Sequence, residues 1–409
     1  MEEMTSRERV YSTLNCREPD RVPICFGGSM VSVITECPPD GRGLSELYEY
    51  LGIKDYEPIR IPPALNIITK LDERLIRRFH SDMIQVNPNP PPEILEIVQP
   101  DGSKILPYLC GMKVKKVGYH DEPFVFPMKH MTTKKDIDEY PWWPDRTVDI
   151  MKGVVERAKY LHEETDYFVV GDSIFTVFPL NAYALLGGMD KWLTDMKIRP
   201  QFYHQLCKQM LDIGRSLDEQ FWKGIGPYID GAMIYDDIGS QEGGLFSLAD
   251  YREFYKPYQA EIIKSIRKHL RPDAKIFHHT CGSAYYAIPD LIEIGVDVLV
   301  ALQPLARNME PWRLKNEFGG KIAFMGGFDI QKLLPLGSVE QIKEGVKKLI
   351  HEYAPGGGYI FATAHNIEPD VPPKNAVAMF DAAHEYGEYP ISKPNGLNYV
   401  DYIKSLDLR

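Results

Sequence analysis

From residue 150 onward the chain repeats one unit: a helical stretch of ten or more residues, then a short and almost wholly apolar run. The runs are DYFVVGDSIF, GAMIYDDIG, AKIFHHTCG, VDVLVALQP, KIAFMGGFD and YIFATAHNI. A strand that is apolar on both pleat faces is buried on both, and strands joined by helix-length crossovers run parallel. Two further strands, at Val22 to Phe26 and from Asp82, bring the count to eight. The expected fold is therefore α/β, a (β/α)8 TIM barrel spanning residues 1–409 as a single domain.

The segment between the second and third strands breaks the rhythm. ILEIVQPDGSKILPY, GMKVKKVGYH and FVFPMKH alternate with period two, and Asp101-Gly102 is a hairpin turn, so residues 90–131 are expected to form an inserted antiparallel β-meander. Thr132 to Asp138 then opens a helix, and YPWWPD (Tyr140 to Asp145) is a rigid linker whose tryptophans serve packing. At the start, Ser6 to Leu14 reads as an amphipathic helix capped by Thr5 or Ser6.

Charge narrows the partners. Lys and Arg number 47 against 58 Asp and Glu, a net charge of −11, which excludes a nucleic-acid footprint and an anionic membrane surface as the main partner. The N-terminus MEEMTSRERV is charged from its second residue, and no window approaches the ~18 apolar residues of a membrane span, so a cytoplasmic location is expected. Six scattered cysteines (Cys16, Cys25, Cys37, Cys110, Cys207, Cys281) suit reduced thiols.

Barrel active sites are built at the C-terminal ends of the strands. Read in order, those ends supply Asp82, Ser173, Tyr235-Asp236-Asp237, His279-Thr280-Cys281, Gln303, Asp329 and His365. His279 and Cys281 stand one pleat apart on one side of their strand, and His365 stands at the mouth end of the last strand. Two imidazoles and one thiolate with an open position are the donor set of a catalytic zinc. Asp329 and Glu242 are candidate fourth ligands or partners that fix a histidine tautomer. His278 points to the other pleat face and is expected to be a hydrogen-bonded core histidine. No phosphate loop or dinucleotide fingerprint falls in register with a strand.

RERVYSTLNCREPDRVPI, DEYPWWPD, YDDIGSQ, FHHTCGS, FMGGFDIQKLLPLGSVEQI and HNIEPDVPPKN together resemble the uroporphyrinogen decarboxylase superfamily, over nearly the whole chain. The resemblance implies the barrel fold and, for Asp82, the place of the family's catalytic aspartate. Decarboxylases of that superfamily carry an arginine-rich segment just after the first strand to hold substrate carboxylates. Here that place reads FGGSMVSVITE, without an arginine. The corrinoid-dependent methyltransferase branch is more similar, because its members bind zinc through His-x-Cys on one strand and a cysteine near the end of the last. His279 and Cys281 match the first two, and His365 stands where that cysteine is expected.

A histidine in that place makes the metal less thiolate-rich and more Lewis acidic. That favours activation of a methyl donor over presentation of a thiol such as coenzyme M. The resemblance thus implies a zinc-dependent methyltransferase that moves a methyl group from a small-molecule donor, a methoxylated aromatic first, to the cob(I)alamin of a corrinoid-binding partner protein. Asp82, Tyr235 and Asp237 are the candidate acids for the leaving oxygen. Phe175, Phe178, Phe328 and Met325 are candidates for an aryl pocket. The competing readings are transfer from a methylcorrinoid to a thiol or pterin, decarboxylation, and a non-catalytic corrinoid- or tetrapyrrole-binding barrel. The helices around such a barrel also suit a homodimer.

Overall fold

Seven parallel strands form one curled sheet: Met83–Val86, Phe168–Val177, Gly231–Tyr235, Lys275–His279, Val298–Ala301, Ala323–Phe328 and Tyr359–Thr363. A computed structural model describes residues 3–29, 32–37, 42–56, 71–89, 96–107, 110–118, 120–142, 149–177, 185–392 and 396–408, without the side chains of residues 36, 37, 42, 120, 173–177 and 217. Strand order follows chain order, as successive right-handed crossovers dictate.

The sheet closes through the segment around Ile24. On one side the Cys25 N–H donates to Phe361 O and the Phe361 N–H to Pro23 O, both at 2.8 Å. On the other, the Asp82 N–H donates to Ile24 O at 2.8 Å and the Gln85 N–H to Gly27 O at 3.1 Å. The expected first strand is thus in place, but Pro23 has no N–H to give and the Ile24 N–H is taken by the Asp82 carboxylate. It pairs by an isolated parallel bridge to Phe361 rather than as a regular ladder. With this segment the barrel has its eight staves.

Alternation along the strands divides the core in two. Phe168, Val170, Met233, Phe277, Val298, Val300, Ala323, Met325, Ile360 and Ala362 fill the barrel interior. Their sequence neighbours Val169, Ala232, Ile234, Ile276, Leu299, Phe324 and Phe361 face the helices. Both sets are buried, which is why the runs are apolar throughout.

The N-terminal end of the barrel is closed by the helix Ser6–Leu14, whose start is fixed by a capping box between Thr5 and Glu8. Val10 and Leu14 insert among the interior residues, and Tyr11 packs edge-on against Phe168 at 5.1 Å. At this end an aspartate precedes the second, fourth and sixth staves, and each accepts the first free N–H of the neighbouring strand: Asp82 from Ile24, Asp230 from Val169, Asp297 from Ile276, at 2.8, 2.8 and 2.7 Å. Arginines neutralise all three carboxylates: Arg9 and Arg21 at Asp82, Arg7 and Arg271 at Asp230, Arg267 at Asp297.

The inserted meander is an antiparallel sheet of Ile97–Val98, Lys104–Leu106, Met112–Val117 and His120–Val125. Its first turn is the expected one: Gly102 adopts φ +80°, and Asp101 Oδ1 accepts from the Ser103 N–H at 3.0 Å. Residues 90–95 of the expected meander and residues 143–145 of the linker lie outside the described residues. Trp142 packs edge-on against Tyr140, and its Nε1–H donates to Ile137 O at 2.8 Å, a packing role as expected.

Candidate metal centre

The fifth stave ends in His279, which shares the inward parity of Phe277 and therefore faces the mouth, while His278 faces the helices. His278 Nε2 lies 3.3 Å from Gln259 Nε2, and Gln259 also donates to the Asp236 carboxylate at 2.6 Å. His278 is thus the hydrogen-bonded core residue its parity implied. Burial in this pocket pushes the Asp236 carboxyl well above the usual range, which favours its protonated form.

The Cys281 Sγ lies 3.5 Å from His279 Nε2, and the ring of His365 stands 5.4 Å from that of His279, centroid to centroid. One donor atom from each of His279, Cys281 and His365 lies within 4.8 Å of the others. Zn–S of ~2.3 Å and Zn–N of ~2.0 Å at a tetrahedral angle put the two donors about 3.5 Å apart. The His279–Cys281 separation meets that requirement, so the residues present fit zinc. Burial lowers the pKa of His279 to about 3, so the ring is a neutral ligand at any physiological pH. Burial, and then the charge of Asp237, push the Cys281 thiol well above its ordinary value. A thiol so placed ionises only when a cation is bound to it.

The loop after the strand is held from three sides. Asp237 Oδ1 accepts the Cys281 N–H at 2.7 Å and stands 3.7 Å from His279 Nε2. Gln303 Oε1 accepts the Gly282 N–H at 3.0 Å, and Ser240 O accepts the Ser283 N–H at 2.8 Å. Gly282 has φ +67°, and a Cβ there would sit 2.6 Å from Ser240 O, so only glycine fits.

Three expected site residues are elsewhere. Asp82 precedes its strand instead of ending it, so it belongs to the closed end of the barrel, where Ser6, Arg9, Arg21 and the Ile24 N–H surround it. The strand runs on from Asp82 to Val86, so the carboxylate lies at its N-terminal end and not at the mouth. Asp329 does end the seventh stave, yet its Oδ2 accepts the N–H groups of Lys332 and Leu333 at 2.8 and 2.7 Å and caps the next turn. Glu242 is exposed, between the two short strands Gly239–Ser240 and Gly243–Gly244. Neither carboxylate joins the donor cluster among the described residues.

Tyr235 is where it was expected, on the floor of the mouth, its ring 5.4 Å from that of His279. Its hydroxyl donates to Asp172, at 2.7 Å from both carboxylate oxygens. Asp172 is fully buried, and its backbone O accepts from Asn87 Nδ2 at 3.0 Å. It is not among the strand-end residues expected from the sequence. The available signal was an aspartate inside DYFVVGDSIF at the inward parity of Phe168 and Val170. The Ser173 and Phe175 side chains and Phe178 lie outside the described residues. Phe328 packs among Phe361 and Tyr399 on the helix side, and Met325 fills the barrel interior, so neither lines an aryl pocket.

The sequence profile described as Uroporphyrinogen decarboxylase (URO-D) matches residues 104–386, a span that contains His279, Cys281 and His365. The chain belongs to the uroporphyrinogen decarboxylase family. Among curated URO-D proteins, it is similar to uroporphyrinogen decarboxylase from Ruthia magnifica subsp. Calyptogena magnifica, 28% identical over 215 residues that cover 51% of this chain and 58% of the relative. It is also similar to uroporphyrinogen decarboxylase from Legionella pneumophila (strain Corby), 28% identical over 180 residues that cover 44% of this chain and 47% of the relative. The chain spans about half the length of these curated relatives. Among solved structures it resembles a methyltransferase from Methanosarcina mazei, with TM-score 0.62 and 18% identity over 94% of this chain and 99% of that one. That likeness shows a fold shared over 94% of this chain. No described helix is long and apolar enough to cross a membrane.

Proposed function

We propose that this URO-D family member is a zinc-dependent methyltransferase that moves a methyl group from a small-molecule donor, a methoxylated aromatic first, to the cob(I)alamin of a corrinoid-binding partner protein. The observation that carries the reading is the convergence of His279, Cys281 and His365 at the barrel mouth. Those three residues would hold the zinc. When bound, the metal supplies Lewis acidity toward the ether oxygen, and the partner's corrinoid supplies the nucleophile that accepts the methyl group.

The chain's own groups do the rest. Asp237 pins the Cys281 backbone and lies beside His279, which keeps the donor atoms in place before metal arrives. Tyr235 stands next to His279 and is the proton source for the leaving oxygen. A cytoplasmic setting suits both the thiol ligand and a low-valent corrinoid.

Purified protein should contain stoichiometric zinc and consume a methoxybenzoate in the presence of cob(I)alamin, and His279→Ala or Cys281→Ala should stop the transfer. Protein without zinc, or variants that transfer at the wild-type rate, would refute the reading. A decarboxylase reading is favoured by the names of the curated relatives. Against it stands the run from Phe26 to Glu36, which has no arginine to hold substrate carboxylates. Release of CO2 from uroporphyrinogen would decide for it.

A further inference from the structure

The sixth stave ends in two consecutive non-glycine residues with positive φ. Ala301 has φ +89° and Leu302 φ +55°, and no other such residues are adjacent among the described residues. A side chain is strained in that region, and such strain persists only where the surroundings impose it. The pair reverses the alternation of the strand. Val298 and Val300 face the barrel interior, and Leu299 faces the helices. Simple continuation of the pleat would send Leu302 inward and Gln303 outward. Instead Leu302 is buried with Leu299 in the layer against the helices, and Gln303 reaches the loop that carries Cys281. Gly326 on the seventh stave leaves room for the reversal, since a Cβ there would lie 2.4 Å from Ala301 O.

We infer that Gln303 is a positioning residue of the metal centre, delivered by this turn to hold the Cys281 thiol beside His279. The inference rests on the reading of His279, Cys281 and His365 as metal ligands. Two peptide groups flank the Cys281 Cα, and each is held by a side chain from a neighbouring stave. The Cys281 N–H donates to Asp237 Oδ1 at 2.7 Å, from beyond the end of the fourth stave. The Gly282 N–H donates to Gln303 Oε1 at 3.0 Å, from beyond the end of the sixth. With both planes fixed the backbone of Cys281 is fixed, and its Sγ has only the side-chain torsion left to vary.

Gly282 is the point at which that loop would yield, because glycine resists rotation least, and its N–H is the one Gln303 holds. A backbone N–H faces the contacting atom of Gln303, so that atom is the amide oxygen and not the nitrogen. The same oxygen accepts from Gln241 Nε2 at 2.5 Å, and Gln241 O accepts the Arg307 N–H at 2.9 Å. The acceptor is thereby oriented before a metal arrives, as a preformed site requires.

The test reads the metal itself and needs no turnover. The full chain loaded with zinc is titrated with a chelator of known affinity, and the chain loaded with cobalt(II) is followed by its near-ultraviolet thiolate band. Gln303→Met keeps the length of the side chain and removes the acceptor oxygen. It should lower zinc affinity by roughly 10–100-fold, the loss typical of a partner that orients a ligand, and shift the cobalt band at saturating metal. Gln303→Glu keeps an oxygen for both N–H donors and should bind zinc at least as tightly as the wild type, with the band restored. Wild-type affinity and band in Q303M, or an equal loss in Q303E, would overturn the role of Gln303 and leave the metal centre intact. So would a lower urea midpoint in Q303M with affinity and band unmoved, which is the signature of a purely structural residue. Wild-type protein that binds neither metal, or whose cobalt band survives Cys281→Ala, would remove the metal centre and this inference with it. If Q303M does not fold, the exposed Gln241 carries the test. Q241A removes the amide that orients Gln303 and should weaken zinc several-fold, and unchanged affinity there would overturn the inference.

Discussion

Asp82 and Arg9 meet at 2.7 Å, buried at the closed end of the barrel and at the opposite end of the staves from His279. Arg21 completes the ion-pair cluster at 2.8 Å. Removing the charge of Asp82 leaves the Arg21 guanidinium without its carboxylate and Arg9 with Asp20 alone, at a cost of about 3–5 kcal/mol. D82N should therefore lower the free energy of unfolding by that amount in urea denaturation, while the folded fraction binds metal as the wild type does. Unchanged stability with lost methyl transfer would return Asp82 to the chemistry.

The donor set makes its own prediction. Cobalt(II) in place of zinc should give the near-ultraviolet thiolate charge-transfer band, and that band should vanish in Cys281→Ala. His279→Ala and His365→Ala should weaken the metal by more than the roughly 10–100-fold that loss of an outer partner costs. Asp329→Ala removes only a turn cap, so metal content should stay at the wild-type level in that variant. Metal analysis after gel filtration distinguishes these outcomes.

Gly282→Ala tests the loop that carries Cys281. A side chain at φ +67° costs about 1–2 kcal/mol, and the added Cβ at 2.6 Å from Ser240 O forces the loop away from its neighbour. Zinc affinity should fall with the Cys281 position even though no ligand has been changed. Competition against a chelator of known affinity measures it.

Acid should destabilise the closed end first. Burial alone would raise the Asp20 carboxyl, but hydrogen bonds from Arg9, the Met4 N–H and the Arg21 N–H outweigh it and hold the pKa at about 2, against an ordinary 3.8. The unfolded chain then binds this proton before the folded one does. The stabilisation is complete above about pH 4 and is lost as pH falls toward about 2. Urea midpoints over that interval should drop more steeply for wild type than for Asp20→Asn. Parallel curves would show that Asp20 is not linked to folding.

The fold was legible because its signal is repetitive and local. Apolar runs of strand length, separated by helices, leave a parallel barrel as the economical way to bury both faces. The inward and outward parities of Phe277, His278 and His279 followed from the pleat alone. The same parity argument reaches Asp172, an aspartate inside an almost wholly apolar run. Asp82 was misplaced because the strand runs on from it, which puts the carboxylate at the N-terminal end of its stave and not at the mouth.

What the sequence by itself determined was the set of staves, the inserted meander and the placing of His279 at a strand end with Cys281 two residues on, since each follows from spacing within a short segment. Only the tertiary structure decided that His365 reaches them, that Asp329 turns away to cap a helix, that Asp82 is an ion-pair anchor and that Asp172 holds Tyr235. Those relations join residues on different staves, and closure of the barrel, not spacing along the chain, sets the distances between them.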